Sequence, residues 1–373
     1  MKIFTIAGDY IKDKIGGAEY HMDLLENEFI KQGHEVFHVH AQAKSLSNYE
    51  KIEKVDGKIV YHIQTNNPIY QRFYMPFFIN FLKEVVSKEA DIIYIREFHN
   101  HFILSKFCKE YKIPLVRELA HDDHALHFYN SFYMNIDYKS AIPRIFSDFV
   151  MDKYTNFLTQ SKEQTDLLRE NFGVESKTIY KGHPFPIEFS NRKKGGKIVT
   201  FLANMRDFKR PELFIELAKM NSDKDYKFVM AGPIPSDRQN KILSIIKDCP
   251  NIFYFGTLSY DESNTLLSKS SVLINTSTAE GFSNTFIQAW LRGTPVLSLN
   301  VDPDNIIQDK KLGMSFEGDL VRLNFYLNDL MTNSKRLQDL SEKILKYSIS
   351  NFDIANVSKK YITFFEKIKY EKM

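Results

Sequence analysis

STAEGFSNTFIQAWLRGTPVLSL, residues 277–299, strings together a loop, an amphipathic segment and a short apolar run. Phe286, Ile287, Trp290 and Leu291 recur at helical spacing, the turn Gly293-Thr294-Pro295 ends that helix, and residues 296–299 read as a buried strand. Glu280 therefore stands in a strand-to-helix loop. In open α/β sheets, loops at the carboxyl ends of parallel strands line the crevice where ligands bind, and helix N-termini there offer unpaired N–H groups. The same letters also spell two capping boxes, Ser277 to Glu280 and Thr285 to Gln288, which would start a helix and do nothing else. The rest of the chain must decide between the two.

Outward from this stretch, short apolar runs alternate with helix-length amphipathic ones. Strands are predicted near 2–7, 36–40, 92–95, 115–119, 156–159 and 177–180, with helices between them, notably 18–31 and 163–171, the latter ended by Phe172-Gly173. A second series follows near 198–202, 227–231, 252–255, 272–275 and 296–299, with helices starting at Pro211, Arg238, Tyr260 and Ser283. The pattern predicts an α/β protein of two Rossmann-like, doubly wound parallel-sheet domains facing a central cleft. GHPFPIEFSNRKKGG, residues 182–196, has the prolines, polar middle and glycine pair of a linker. The expected domains are 1–188 and 189–352, with a terminal amphipathic helix in 353–373 crossing back to the first domain.

Composition narrows the function classes. The chain has 373 residues with 50 Lys+Arg against 47 Asp+Glu, a net charge of +3 without the basic bias of a nucleic-acid binder. Cys108 and Cys249 fall in separate predicted domains, which speaks against a disulfide framework or a cysteine metal site and suits a reducing, cytoplasmic setting. The run 3–7 is too short for a signal peptide and reads as the first strand. The longest apolar candidate for a membrane span, 73–82, carries Pro76 and Asn80 and falls well below the ~20 residues needed.

Three strand ends carry chemistry. Gly16-Gly17 precedes a helix, so backbone there can approach a bulky anion; a flexible turn would look the same. Ahead of Pro211, Arg206, Lys209 and Arg210 crowd the positive end of a helix dipole, a repulsion that a diphosphate would offset, and solvent screening would also relieve. At the third, the N–H groups of Phe282, Ser283, Asn284 and Thr285 are donors, while Glu280, an acceptor-only carboxylate, suits sugar hydroxyls. Together these describe a nucleotide-sugar site.

These residues, with VMAGP, NIFYFGTLSYDESNTLLSKSSVLINTS and EGFSNTFIQAWLRGTPVLS in order, resemble the retaining glycosyltransferases of family 4, with their GT-B fold, over essentially the whole chain. The resemblance implies that Gly16 and Gly17 approach the donor diphosphate and that Lys209, with Arg206, neutralises it. It implies that Glu280 is the first acid of a Glu-x7-Glu pair contacting the transferred sugar, followed by backbone from Gly281 to Thr285 that cradles sugar and phosphate. The chain departs from the family twice: Gln288 stands at the second acid, which holds ribose hydroxyls, and Asn204 at the arginine of the Gly-Arg-x4-Lys pattern. His121, in RELAHDDHALH, takes the family histidine near the acceptor, with Asp122 behind it, although Ala120 would fill that position in a register shifted by one. The spacing of His121, His124 and His127 by three also admits a metal site, against a family that needs none.

The expected activity is transfer of a sugar from a nucleotide-diphosphate-sugar donor, UDP- or GDP-linked, to a hydroxyl of a glycan or lipid-linked glycan, with no metal and no other cofactor. A cell-surface polysaccharide is the expected product. The aromatic stretches 69–86 and 127–139 could rest at the inner face of a membrane, or serve as core and a carbohydrate-binding wall. Two rivals share the features: a nucleotide-sugar epimerase of GT-B shape, and a non-catalytic sugar-nucleotide-binding subunit.

Overall fold

β1 (Lys2–Ala7) is buried from Ile3 to Ala7, as a parallel strand covered on both faces must be. In the computed structural model, which describes residues 1–7, 17–43, 51–64, 75–96, 101–119, 125, 154–185 and 197–372, this strand lies within an eight-stranded sheet. Its other strands are β2 (Glu35–Ala43), β3 (Lys51–Val55), β4 (Lys58–Gln64), β5 (Ile92–Arg96), β6 (Leu115–Glu118), β7 (Thr155–Thr159) and β8 (Ser176–Thr178). The order is β3-β4-β2-β1-β5-β6-β7-β8, parallel throughout except for β3 against β4. The β3–β4 hairpin was not foreseen from periodicity. It turns on Asp56 (φ 50) and Gly57 (φ 85), the two-residue, positive-φ turn whose twist matches paired strands.

The hairpin delivers Lys58 into the interior. Its ammonium reaches Asp23 Oδ1 at 2.5 Å and Glu26 Oε2 at 2.7 Å, while Glu26 Oε1 accepts from Thr5 Oγ1 at 2.5 Å and meets His38 Nδ1 at 2.6 Å. Lys58 and Glu26 are each 1 % exposed.

Two compact units divide the chain, Met1–Tyr180 with Ile354–Met373, and Lys181–Asp353. The second thus begins at Lys181, one residue ahead of the stretch read as linker, which belongs to that unit. The His183 N–H donates to Phe352 O at 2.9 Å, which fixes that segment to the unit it introduces. In the first unit the terminal helix Ile354–Lys372 packs on the Gly17–Lys31 helix. Tyr361 sits 6.4 Å from the Phe29 ring and donates its hydroxyl to the buried Glu118 Oε2 at 3.1 Å. Gln32 Nε2 to Ser358 Oγ and Lys369 Nζ to Asp91 Oδ1, each 2.7 Å, complete the seam. Of the aromatic stretch 69–86, Phe78 and Phe81 are fully buried in the core with Leu82 and Val86, so they serve packing, not an interface. Residues 127–139 lie outside the described residues.

The second unit is a six-stranded, all-parallel sheet: β9 (Ile198–Leu202), β10 (Lys227–Ala231), β11 (Ile252–Tyr254), β12 (Val272–Asn275), β13 (Val296–Ser298) and β14 (Gly313–Ser315). Its order, β11-β10-β9-β12-β13-β14, is the dinucleotide-fold order, and it reverses between β9 and β12. β14, three residues long, is too short to register as an alternating run. The turn after the quoted helix requires its glycine: Gly293 has φ +63, and an added Cβ would lie 2.9 Å from Ser341 O. Among the described residues no helix is long and apolar enough to cross a membrane.

Candidate active site

The switch point of the second sheet brings together the loops that leave β9 and β12. After β9, Ala203 N–H donates to Ala231 O at 3.1 Å, and Gly232 (φ +125) passes so close that an added Cβ would meet Ala203 O at 2.0 Å. Met205, fully buried, roots the loop; Asn204, Arg206 and Phe208 are exposed around it. A short 3-10 turn, Asp207–Lys209, then lifts Lys209 toward β12, and Arg210, in left-handed backbone (φ 45, ψ 57), redirects the chain into the Pro211–Lys219 helix. Arg238, from the Ser236–Lys247 helix, clamps this loop: its Nη1 donates to Met205 O at 2.9 Å, its Nε lies 3.0 Å from Asp207 Oδ1, and its Nη2 binds Glu212.

The loop after β12 is stitched to the first. Thr276, fully buried, places its hydroxyl 2.6 Å from Lys209 O and 2.9 Å from Arg210 O; Arg210 Nε donates to Thr276 O at 3.0 Å, and Thr278 N–H to Phe208 O at 2.8 Å. The stitching holds Lys209 Nζ against Glu280 Oε1, and the same ammonium stands 5.0 Å from the centre of the Phe208 ring. Glu280 Oε1 also accepts from Ser277 Oγ at 2.9 Å and from Asn275 Nδ2 at 3.2 Å. One carboxylate oxygen is thus saturated by the chain. The other, Oε2, has no partner among the described residues and is open to a ligand hydroxyl.

Charge crowding ahead of Pro211 is therefore relieved partly from within: Glu280 balances Lys209, while Arg210 is tied to a carbonyl. Arg206 is exposed and bonds nothing through its side chain among the described residues. The capping-box reading fails. No helix begins at Ser277, whose hydroxyl donates to Glu280 instead, and Thr285 lies inside the Asn284–Trp290 helix, with its hydroxyl 2.9 Å from that of Ser283. Ser283 at the N-cap makes no side-chain cap, so the helix opens without a side-chain acceptor for its first N–H groups. Gly281 is exposed; Phe282 buries its ring 5.8 Å from Phe352 and 6.4 Å from Trp290, which leaves its backbone to face the loop. Gln288 is buried on the helix, and its amide has no partner among the described residues.

The mechanical role of Thr276 gives an expected outcome. Thr276→Val keeps the shape but removes the hydroxyl shared by two carbonyls, and should cost about 1 kcal/mol of stability. Because it loosens Lys209, it should also lower kcat/KM roughly tenfold, with Thr276→Ser restoring it. Steady-state kinetics beside thermal melts check this; equal kinetics in all three proteins would contradict it.

His183, taken above as linker, is buried, stacks on Tyr260 (ring centres 6.1 Å apart, planes at 20°) and brings its Nδ1 within 3.3 Å of the Tyr260 hydroxyl. Burial pushes its imidazole down to about 4, against partial support from Asn284. The neutral form is thus the folded form. Stability is full above the unfolded value of 6.5 and falls as pH drops toward 4, by about 2 kcal/mol by pH 5. Urea midpoints read by fluorescence of Trp290, the single tryptophan, should show this slope, and His183→Asn should flatten it.

Gly17 opens the Gly17–Lys31 helix; Gly16, His121, Asp122, His124 and His127 lie outside the described residues. Among the described residues no group of three His, Cys, Asp or Glu is placed to hold a metal ion. Arg238, Thr276 and His183 were not singled out from sequence: Arg238 and His183 act across folds of the chain, and a threonine after a strand carries no signal of its own.

Residues 15–183 match the family Glycosyltransferase Family 4, and residues 185–347 match Glycosyl transferases group 1. Among solved structures, Anabaena HepE in complex with UDP and glucose aligns at TM-score 0.69 and 13% identity, over 98% of this chain and 100% of that one. A glycosyltransferase from Rickettsia africae ESF-5 aligns at TM-score 0.71 and 16% identity over 98% of both chains. The lipopolysaccharide outer core galactosyltransferase WaaB, in its apo form, aligns at 0.66 and 15% over 98% of this chain and 100% of that one. No curated protein sequence matches the chain. The fold is that of the GT-B glycosyltransferases. With the two family models matched in tandem, the chain belongs to the family 4, group 1 glycosyltransferases.

Proposed function

We propose that this glycosyltransferase is a retaining, metal-independent enzyme that moves a hexosyl group from a UDP- or GDP-sugar to a hydroxyl of a glycan or lipid-linked glycan in surface polysaccharide synthesis, working in the cytoplasm. The observation that carries the reading is the pairing of Lys209 with one oxygen of Glu280 while the other oxygen stays open, at the sheet's switch point. When the donor binds, the Lys209 ammonium and the exposed Arg206 meet the diphosphate, and the amides from Gly281 to Thr285 supply further donors. As the glycosidic bond breaks, negative charge gathers on the departing diphosphate, and these fixed donors stabilise it without reorganising. Glu280 Oε2 holds a hydroxyl of the transferred sugar. Gln288 offers ribose hydroxyls a neutral amide where a carboxylate would give charge-assisted bonds, so its hold is the weaker of the two. Asn204 adds an exposed amide beside the phosphates. Gly16, Gly17 and His121 take the roles their family resemblance implies.

The donor class has support from HepE, crystallised with UDP-glucose, and the product class from WaaG, described as a glycosyltransferase involved in lipopolysaccharide biosynthesis. Incubating the enzyme with UDP- and GDP-sugars and reading the product anomer by NMR tests the reading. Retention, at a rate unchanged by EDTA, is expected. An inverted product, loss of activity on chelation, or an epimerised donor released without acceptor would each overturn the corresponding part.

A further inference from the structure

A second candidate site lies on the same unit, using none of the residues in the loops after β9 and β12. β14 is the last strand of its sheet, with a strand partner on one side only. Beyond its free edge, the start of the Ser334–Phe352 helix and the segment after the Ile306–Asp309 helix border a hollow of about 560 Å³. Lys311, Lys335, Arg336 and Lys343 line it, against one carboxylate, Asp339. Arg336 is engaged, paired with Asp329 and held 5.2 Å from the centre of the Tyr326 ring. The three lysines are exposed and have no ion-pair partner among the described residues. Asp339 stands one helical turn from both Lys335 and Lys343 and pairs with neither.

Like charges gathered around one concavity repel one another, and its low-dielectric walls focus their field on whatever enters. Lys311 stands in left-handed backbone (φ 56) at the rim of the hollow because it ends the Ile306–Asp309 helix, with Leu312 N–H donating back to Ile307 O at 2.8 Å. The hollow also has an apolar side, formed by Met314, Leu340 and the Tyr326 ring. A multiply charged group bearing an organic substituent fits both. Lysines bind such a group as point charges from several directions, a task that suits tetrahedral phosphate better than a single planar carboxylate.

We propose that this hollow binds a phosphate-bearing ligand, its phosphoryl oxygens on Lys311, Lys335 and Lys343 and its organic portion against Tyr326, Met314 and Leu340. A soluble phosphate ester and an anionic lipid headgroup share this chemistry, and the experiment separates them. The full-length protein is titrated with inorganic phosphate by calorimetry and sedimented with vesicles of phosphatidylglycerol and phosphatidylcholine in equal parts, or of phosphatidylcholine alone. Lys335→Glu/Lys343→Glu reverses two exposed charges of the hollow. Lys241→Glu/Lys247→Glu makes the same change in net charge on the exposed side of the Ser236–Lys247 helix. The hollow variant should weaken binding roughly tenfold or more, while the control variant retains it. Loss confined to phosphate identifies a soluble ester, and loss in the phosphatidylglycerol arm a lipid headgroup. Equal binding by wild type and hollow variant in both arms, or equal loss in the control, would overturn the proposal.

Discussion

Lys209→Ala should lower kcat/KM for sugar transfer by about 10²- to 10³-fold, the usual cost of removing a fixed donor aimed at developing charge. Here the change does more than delete a cation. Lys209 is held by the Thr276 hydroxyl on its carbonyl and by the short turn Asp207–Lys209, and its ammonium sits on Glu280. Without it, Glu280 keeps only Ser277 and Asn275 as partners on Oε1 among the described residues, and its negative charge faces the place where the diphosphate must arrive. Nucleotide affinity should therefore fall along with the rate. The double variant Lys209→Ala/Glu280→Gln should recover part of the UDP affinity lost in Lys209→Ala, while transfer stays low because the sugar has lost its carboxylate. Such non-additivity is what two groups in one contact produce. Calorimetry with UDP beside steady-state kinetics on the four proteins measures it; purely additive losses in affinity would contradict the coupling.

The second large effect concerns stability. Lys58→Met should destabilise the first unit by about 3–5 kcal/mol, the cost of stranding a buried charge. Burial alone would raise the Glu26 carboxyl, yet His38 and Lys58 together hold it down to about 2. Its contribution is accordingly present above the unfolded value of 4.5 and lost as pH falls toward 2. Removing Lys58 withdraws one of those cations, so the variant should also lose part of that acid dependence. Lys58→Met/Glu26→Gln, which leaves no stranded charge, should return much of the stability. Trp290 lies in the second unit, so far-UV circular dichroism, which reads the helices of both units, must accompany the fluorescence. A single Lys58→Met variant as stable as the wild type would show that the cluster is not what holds the hairpin in place.

Much of this architecture is legible in the sequence, for identifiable reasons. Strands such as β1, β9 and β12 are continuous apolar runs because both their faces are covered, and such runs are bounded by residues that cannot continue them. The helix start at Pro211 and the stop at Gly173 are local chemistry, readable within one turn. The β3–β4 hairpin was missed although Asp56-Gly57 between alternating residues is its signal; Lys51, Lys54 and Lys58 disguise the strands as a solvated segment, and only the folded chain shows Lys58 paired inside. At the site, sequence places Lys209 and Glu280 in loops at strand ends and Gln288 on the helix that follows, but cannot show that Lys209 and Glu280 satisfy each other. Two capping boxes were spelled and neither forms, because Ser277 serves Glu280 instead of a helix. Arg238 and His183 act through contacts with segments far along the chain, which no local pattern encodes.

A crystal structure with a bound UDP-sugar tests the central claim most directly. The diphosphate should lie on Lys209 and the amides from Gly281 to Ser283, with Lys209 drawn away from Glu280 and the freed carboxylate on a sugar hydroxyl. A diphosphate bound elsewhere, with Lys209 and Glu280 still closed on each other, would contradict it.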